Sequence, residues 1–169
     1  MRVFLIFPPP FVLIIILKLF ACMRAILQRV KASWVLVDGV EVGRIGMGVN
    51  VLLGIGKGDN EEDAKKLADK ILNLRIFEDE RGKFQHSLLD IKGSALIIPQ
   101  FTLYASIKKG RRPSFEQAEE PVRAEKLYNY FVEVMSQKVP VSTGRFGANM
   151  EVHIVNWGPV TVFLDSKEL

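Results

Sequence analysis

Residues 23–169 predict an α+β fold of mainly antiparallel sheet with two helices, and three observations carry that reading. Short β-rich runs recur along the chain, about seven or eight of them, separated by turn residues. Two stretches have helical spacing, and they stand far apart instead of alternating with strands. Hairpin connections dominate, which disfavours a doubly wound parallel sheet.

The elements follow in order. Ala25 to Val37 is rich in Ile, Leu and Val and runs into Asp38-Gly39. That dipeptide between apolar runs favours a two-residue hairpin, so Val40 to Ile45 is predicted to return antiparallel. Val49 to Ile55 is a continuous apolar run of strand length, expected to be central and covered on both faces. Asp59 or Asn60 can cap a helix with Asp63 in its first turn. Ala64, Leu67, Ala68, Ile71 and Leu74 then recur at helical spacing and leave Lys65, Lys66, Asp69 and Lys70 outside. Phe77 to Phe84, around Glu80-Arg81-Gly82-Lys83, reads as strand, turn and strand, and Ser94 to Leu103 as another buried strand. Pro121 suits the first position of a second helix, whose inner face is Ala124, Leu127, Tyr128, Phe131 and Met135. Met150, Val152 and Ile154 alternate on one side of a late strand, and Val160 to Leu164 forms the last. There is no internal repeat and no low-complexity linker.

Composition narrows the function classes. An apolar share of 49% supplies a core, and 25% charged residues is ordinary for a folded domain. The formal charge is +4, but Arg2 and Lys18 contribute two of those charges, leaving +2 for residues 23–169. Overall charge is thus weak support for a polyanionic partner, and local clustering must carry it. The single cysteine is Cys22, so residues 23–169 contain no disulfide, no thiol nucleophile and no cysteine-based zinc site. His86 and His153 are the only histidines and lie far apart, so no metal site and no cofactor are expected.

Residues 1–22, MRVFLIFPPPFVLIIILKLFAC, differ in composition from everything after them. Pro8-Pro9-Pro10 and Lys18 interrupt the apolar run, and Phe11 to Leu17 falls far short of the roughly 20 residues that span a bilayer. Met23 opens MRAILQRV, a natural start for a strand and for a domain. The preferred reading is a non-functional leader added by an upstream start. A signal or membrane-associating segment and an apolar arm packed on the domain are the alternatives.

Some motifs tempt and fail. Gly54-Ile55-Gly56-Lys57-Gly58-Asp59 resembles a phosphate loop, but Val51 stands where Walker A needs its first glycine and Gly58 where it needs Ser or Thr. Glycines shaping tight turns are the expectation there. His153 alternates with the inward Met150, Val152 and Ile154 and should point outward; His86 lies in a turn region. A Ser-His-Asp or Cys-His mechanism therefore lacks its base. Lys108-Lys109-Gly110-Arg111-Arg112-Pro113 puts four cations in six residues. It is either a solvated loop or a grip on phosphate oxygens.

Four segments read together are specific. Pro99-Gln100-Phe101-Thr102-Leu103-Tyr104 resembles the Ser-Gln-Phe-Thr-Leu motif of D-aminoacyl-tRNA deacylases, and Asn156-Trp157-Gly158-Pro159-Val160-Thr161 matches their Asn-x-Gly-Pro-Val-Thr. Gly110 to Phe115 and Thr143 to Met150 are similar to the family as well. The likeness runs from Met23 to the C-terminus and leaves residues 1–22 outside. It implies a barrel-like core and a cytoplasmic, homodimeric hydrolase that cleaves D-aminoacyl-tRNA, with active sites at the subunit interface and no stable membrane association. It further implies catalytic roles for Gln100, Phe101 and Thr102, and a chirality filter at Gly158-Pro159 in which the bond is cis and serves the neighbouring subunit. Ala148 and Met150 would line the substrate pocket, and Lys108, Lys109, Arg111 and Arg112 would meet the tRNA. Main-chain rejection of an L side chain would admit glycine, so glycyl-tRNA is an expected substrate. Pro99 departs from the family serine and removes both a hydroxyl and a backbone N–H. The other reading open to the sequence is a non-catalytic RNA-binding module.

Overall fold

In a computed structural model of the chain, residues 22–169 are described. The readings of residues 1–21 lie outside them. Among the described residues there are eight strands, two α-helices and two short 3-10 turns. The strands are β1 (Arg24–Val37), β2 (Val40–Ile45), β3 (Gly48–Gly54), β4 (Phe77–Glu78), β5 (Phe84–His86), β6 (Ser94–Pro99), β7 (Val141–Thr143) and β8 (Glu151–Asp165). The helices are α1 (Glu61–Asn73) and α2 (Pro121–Ser136), and the 3-10 turns are Phe101–Tyr104 and Ser166–Glu168.

β1 organises the sheet. One of its edges pairs with β3 over Arg24–Val30 and then with β2 over Ser33–Val37, both antiparallel. Its other edge takes β8 along nearly its whole length. β6 adds in parallel to β3, and β7 in parallel to β6, giving the order β2-β1-β3-β6-β7. The ends of this path approach each other. Ser142 Oγ donates to the Arg44 carbonyl at 2.9 Å, and a Cβ on Gly43 would lie only 2.5 Å from the Thr143 carbonyl oxygen. The α+β, barrel-like expectation holds, with two parallel pairings inside the mainly antiparallel sheet. β4 and β5 form a separate two-stranded ribbon.

The period-2 alternation of the strands divides the core. Ala95 and Ile97 face a large cluster with Val49, Val51 and Leu53, on which α1 and α2 pack through Leu67, Ile71, Tyr128 and Phe131. Leu96 and Ile98 face the other way, with Val30, Val35 and Ile45. Both helices keep their predicted inner faces, except that Leu74 is the C-cap of α1 and Leu72 is buried in the helix.

Three local differences have physical causes. Asn60 takes the cap of α1, its Oδ1 accepting from the Glu62 and Asp63 N–H groups while Asp63 answers the Asn60 N–H at 3.0 Å. Asp59 turns inward instead and accepts from the Gly56 N–H at 2.7 Å. The predicted strand 94–103 stops at Pro99, opposite Leu53, because β3 ends one residue later; the Gln100 N–H makes the last contact, to the Leu53 carbonyl at 2.7 Å. The two late strands are one continuous β8, whose register against β1 slips between Gln28 and Val30 and again between Val30 and Ala32. Gly54 and Gly56 also serve close packing more than turning: a Cβ on either would press within 2.9 Å of the Tyr104 ring.

Candidate active site

Where β6 ends, the chain leaves the sheet and folds into the 3-10 turn Phe101–Tyr104. Its first internal bond runs from the Leu103 N–H to the Gln100 carbonyl at 3.3 Å. The Phe101 and Thr102 N–H groups precede that bond and have no backbone acceptor among the described residues. They sit at an exposed place: Phe101 is 58% exposed, its ring meeting Phe115 edge-on with centroids 4.9 Å apart. Gln100 Nε2 donates to the Thr102 hydroxyl in a short hydrogen bond, fixing both side chains.

This turn forms part of the wall of a cleft of about 690 Å³. Gln100, Phe101, Ala148 and Met150 all line it. Phe101, Phe115, Tyr128 and Phe146 give the cleft an aromatic wall, and Lys57, Glu116, Glu119 and Glu120 give it a charged side. The Tyr128 hydroxyl donates to the Ile97 carbonyl at 2.8 Å, and burial pushes its phenol above the ordinary range, so it remains a donor. Thr102 stands beside the cleft and does not line it. Pro99 lines it as a half-buried side chain.

Lys108, Lys109, Arg111 and Arg112 occupy an exposed loop pinched shut by paired Ser106 and Ser114 backbone bonds of 2.8 and 3.0 Å. None of the four makes an ion pair among the described residues. The loop begins just past the 3-10 turn and ends at Phe115 and Glu116 of the cleft, so its charge lies at the rim.

Gly158 and Pro159 are placed elsewhere. The peptide between them is cis, and neither residue lines the cleft. The segment is gripped by Arg29, which is 2% exposed. Arg29 Nε donates to the Trp157 carbonyl at 2.7 Å, Nη1 to the Ile76 carbonyl at 2.8 Å, and Nη2 meets Glu78 at 3.1 Å. The guanidinium also lies 4.7 Å from the centre of the Trp157 ring. Asn156 closes the segment from within: its Oδ1 accepts from the Val160 N–H at 2.8 Å and its Nδ2 donates to the Thr161 hydroxyl at 3.0 Å.

Sequence reading missed Arg29, although a signal existed. Ala25, Leu27 and Arg29 share one face of β1, and a cation on a buried face requires partners. It also missed the aromatic wall of Phe115, Tyr128 and Phe146, whose members come together only through tertiary folding. The histidines lie away from the cleft: His153 stacks on Trp34 at 4.8 Å, and His86 pairs opposite Phe77. Among the described residues no group of three or more His, Cys, Asp or Glu side chains could hold a metal ion. No helix among them is long and apolar enough to cross a membrane.

Comparison with known proteins finds relatives along most of the chain. The family described as D-Tyr-tRNA(Tyr) deacylase matches residues 26–165. The D-aminoacyl-tRNA deacylase of Aquifex aeolicus (strain VF5) is 64% identical over 148 residues, covering 87% of this chain and 100% of that protein. That of Persephonella marina (strain DSM 14350 / EX-H1) is 60% identical over 147 residues, with coverage of 87% and 100%. Among solved structures, the c-Myc DNA Unwinding Element Binding Protein superposes with a TM-score of 0.79 at 41% identity, covering 83% of this chain and 97% of that one. A probable eukaryotic D-amino acid tRNA deacylase shares the fold, with a TM-score of 0.73 at 22% identity and coverage of 85% and 99%. A match over most of the chain, together with identities of this size, shows that the chain belongs to the D-aminoacyl-tRNA deacylase family.

Proposed function

We propose that the chain hydrolyses the ester joining a D-amino acid to the terminal adenosine of tRNA. The observation that carries this reading is the pair of uncommitted N–H groups, Phe101 and Thr102, at the exposed start of a turn on the wall of an aromatic cleft. Water adds to the ester carbonyl carbon, negative charge gathers on the carbonyl oxygen, and the two N–H groups receive it. Collapse breaks the carbon–oxygen bond, leaving free D-amino acid and a tRNA hydroxyl. No histidine lines the cleft, and on this reading the substrate itself supplies the base. The ribose 2′-hydroxyl beside the ester helps activate the water, while Gln100 and Thr102 position groups and do not attack.

Gly158 and Pro159 supply chirality. Backbone held beside the substrate's α-carbon leaves no room for an L side chain, and the D side chain points away. Glycine has nothing to clash, so glycyl-tRNA is a further substrate. Because the segment lies outside this chain's own cleft, it serves the site of a second copy, and the working unit is a homodimer. Lys108, Lys109, Arg111 and Arg112 meet tRNA phosphates at the rim. Residues 23–169 form the single enzymatic domain, residues 1–22 lie outside the family likeness although Cys22 packs against the start of the domain, and the protein acts in the cytoplasm.

The test is release of amino acid from D-tyrosyl-tRNA and L-tyrosyl-tRNA under matched conditions. Preferential release of the D form is expected. Binding of either tRNA without release would make the chain a silent RNA-binding module.

A further inference from the structure

The two ends of the 3-10 turn contrast sharply. Its N–H end is exposed at the cleft, while its carbonyl end is clamped. Tyr104 closes the turn and is 4% exposed. Its ring occupies a slot cut by two glycines: a Cβ on Gly54 would lie 2.9 Å from Tyr104 Cε2, and one on Gly56 2.8 Å from Cε1. Its hydroxyl donates to the Cys22 carbonyl in a short hydrogen bond and has the Gly54 carbonyl 3.3 Å away as a second acceptor. Arg24 covers the ring, with its guanidinium carbon 4.8 Å from the centroid. The same guanidinium donates to the Leu103 carbonyl at 3.1 Å and stands 3.5 Å from Asp165.

We propose that Tyr104 is a positioning residue for ester hydrolysis, aiming the Phe101 and Thr102 N–H groups by clamping the opposite end of their turn. The inference rests on the reading of those N–H groups as oxyanion donors. A 3-10 turn of four residues is only about 6–8 Å long, so it tilts as one unit when its far end moves. Its Leu103–Gln100 bond of 3.3 Å is long and its Ala105–Thr102 bond of 3.0 Å closes only the far end, so its aim depends on outside contacts. Tyr104, Arg24 and the Gln100–Leu53 bond supply them. Donors act on an oxyanion only at hydrogen-bond distance from where it forms, and a displacement of 1 Å costs on the order of 10²-fold. Burial holds the Tyr104 phenol far above its ordinary range, so the hydroxyl keeps its proton throughout the working pH.

Tyr104→Phe leaves the ring in its slot and removes only the hydroxyl. With D-tyrosyl-tRNA, kcat per folded molecule is expected to fall about tenfold while KM stays within about twofold, as for a misaimed oxyanion donor. If Tyr104 merely fills space, the unfolding midpoint drops but kcat per folded molecule stays at the wild-type value, and the inference is overturned. Should Tyr104→Phe fail to fold, Arg24→Lys tests the same clamp from its half-exposed side. It removes the guanidinium contact with the Leu103 carbonyl and keeps a charge near Asp165, so a smaller fall in kcat at unchanged KM is expected, and an unchanged kcat overturns the inference. A wild-type chain with no D preference would sink the hydrolase reading itself, whereas an active wild type with a fully active Tyr104→Phe sinks only this one.

Discussion

The turn Phe101–Tyr104 and the segment Trp157–Val160 are both tethered to β1 by arginines five residues apart, on opposite faces of the strand. They are held by different means. The turn continues a strand of the central sheet, is sewn to it by the Gln100–Leu53 bond, and drives a tyrosine into the core. The segment sits in β8 where its register slips, and its hold on the body of the protein is mainly the buried Arg29. The turn shares one cleft with Ala148 and Met150, whereas Gly158 and Pro159 line no part of it. The proposed reaction centre is held by several contacts at once, whereas the proposed selectivity element hangs chiefly on one guanidinium.

Arg29→Lys should therefore have the largest effect. One ammonium cannot serve the Trp157 and Ile76 carbonyls and Glu78 together, since the arginine reaches them with three separate nitrogens. Breaking a buried, fully engaged cation costs about 3–5 kcal/mol, with the lysine at the lower end because it keeps a charge. Denaturant unfolding reads that loss. In the folded fraction, the ratio of D- to L-tyrosyl-tRNA turnover should fall much more than kcat on the D substrate. Equal selectivity in a destabilised variant would show that the segment is aimed by something other than Arg29.

The turn has a weakness of its own beneath it. Asp59 is fully buried, with Oδ2 on the Gly56 N–H and Oδ1 without a hydrogen-bond partner. Burial is the main cause that pushes its carboxyl from the ordinary 3.8 up to about 7; the Gly56 bond opposes this, and Asp63, Glu119 and Asp165 add to it. Between about pH 4 and 7 the folded chain holds a proton here that the unfolded chain has released, so stability falls as pH rises through that window and stays low above it. Asp59→Asn keeps an acceptor for Gly56 and carries no charge. Stability at pH 8 should rise by about 2–3 kcal/mol, with little change at pH 4. Parallel unfolding curves for both proteins across that range would mean that Asp59 ionises without cost.

The sequence made much of this legible, and the gaps share a cause. The hairpin at Asp38-Gly39, the inner faces of both helices and the central β3 follow from local chemistry, so period and turn residues reveal them. The end of β6 at Pro99 depends on where its neighbour β3 stops, which no local pattern records. The union of the two late strands depends on register slips against β1, again a non-local matter. A motif singles out Gln100 and Phe101, which line the cleft together with Ala148 and Met150. No motif assigns a role to Arg29 or Tyr104, since each holds backbone carbonyls rather than bearing reactive chemistry.

The smallest effect is expected inside the best-anchored region, at Thr102. Its hydroxyl accepts from Gln100 Nε2, and among the described residues no histidine, carboxylate or amine stands ready to take its proton. An unactivated hydroxyl is a poor nucleophile, so the proposed role of this one is to fix the Gln100 side chain. Thr102→Ala preserves the backbone N–H groups of Phe101 and Thr102, which belong to the main chain. Single-turnover deacylation of D-tyrosyl-tRNA should slow by less than about tenfold, because the proposed oxyanion donors survive. Loss of an attacking hydroxyl would instead cost on the order of 10⁴-fold or more with binding intact. A collapse of that size would move the reaction from main chain and RNA to the Thr102 side chain, and would make the firm clamp on this turn a device for aiming an oxygen rather than two N–H groups.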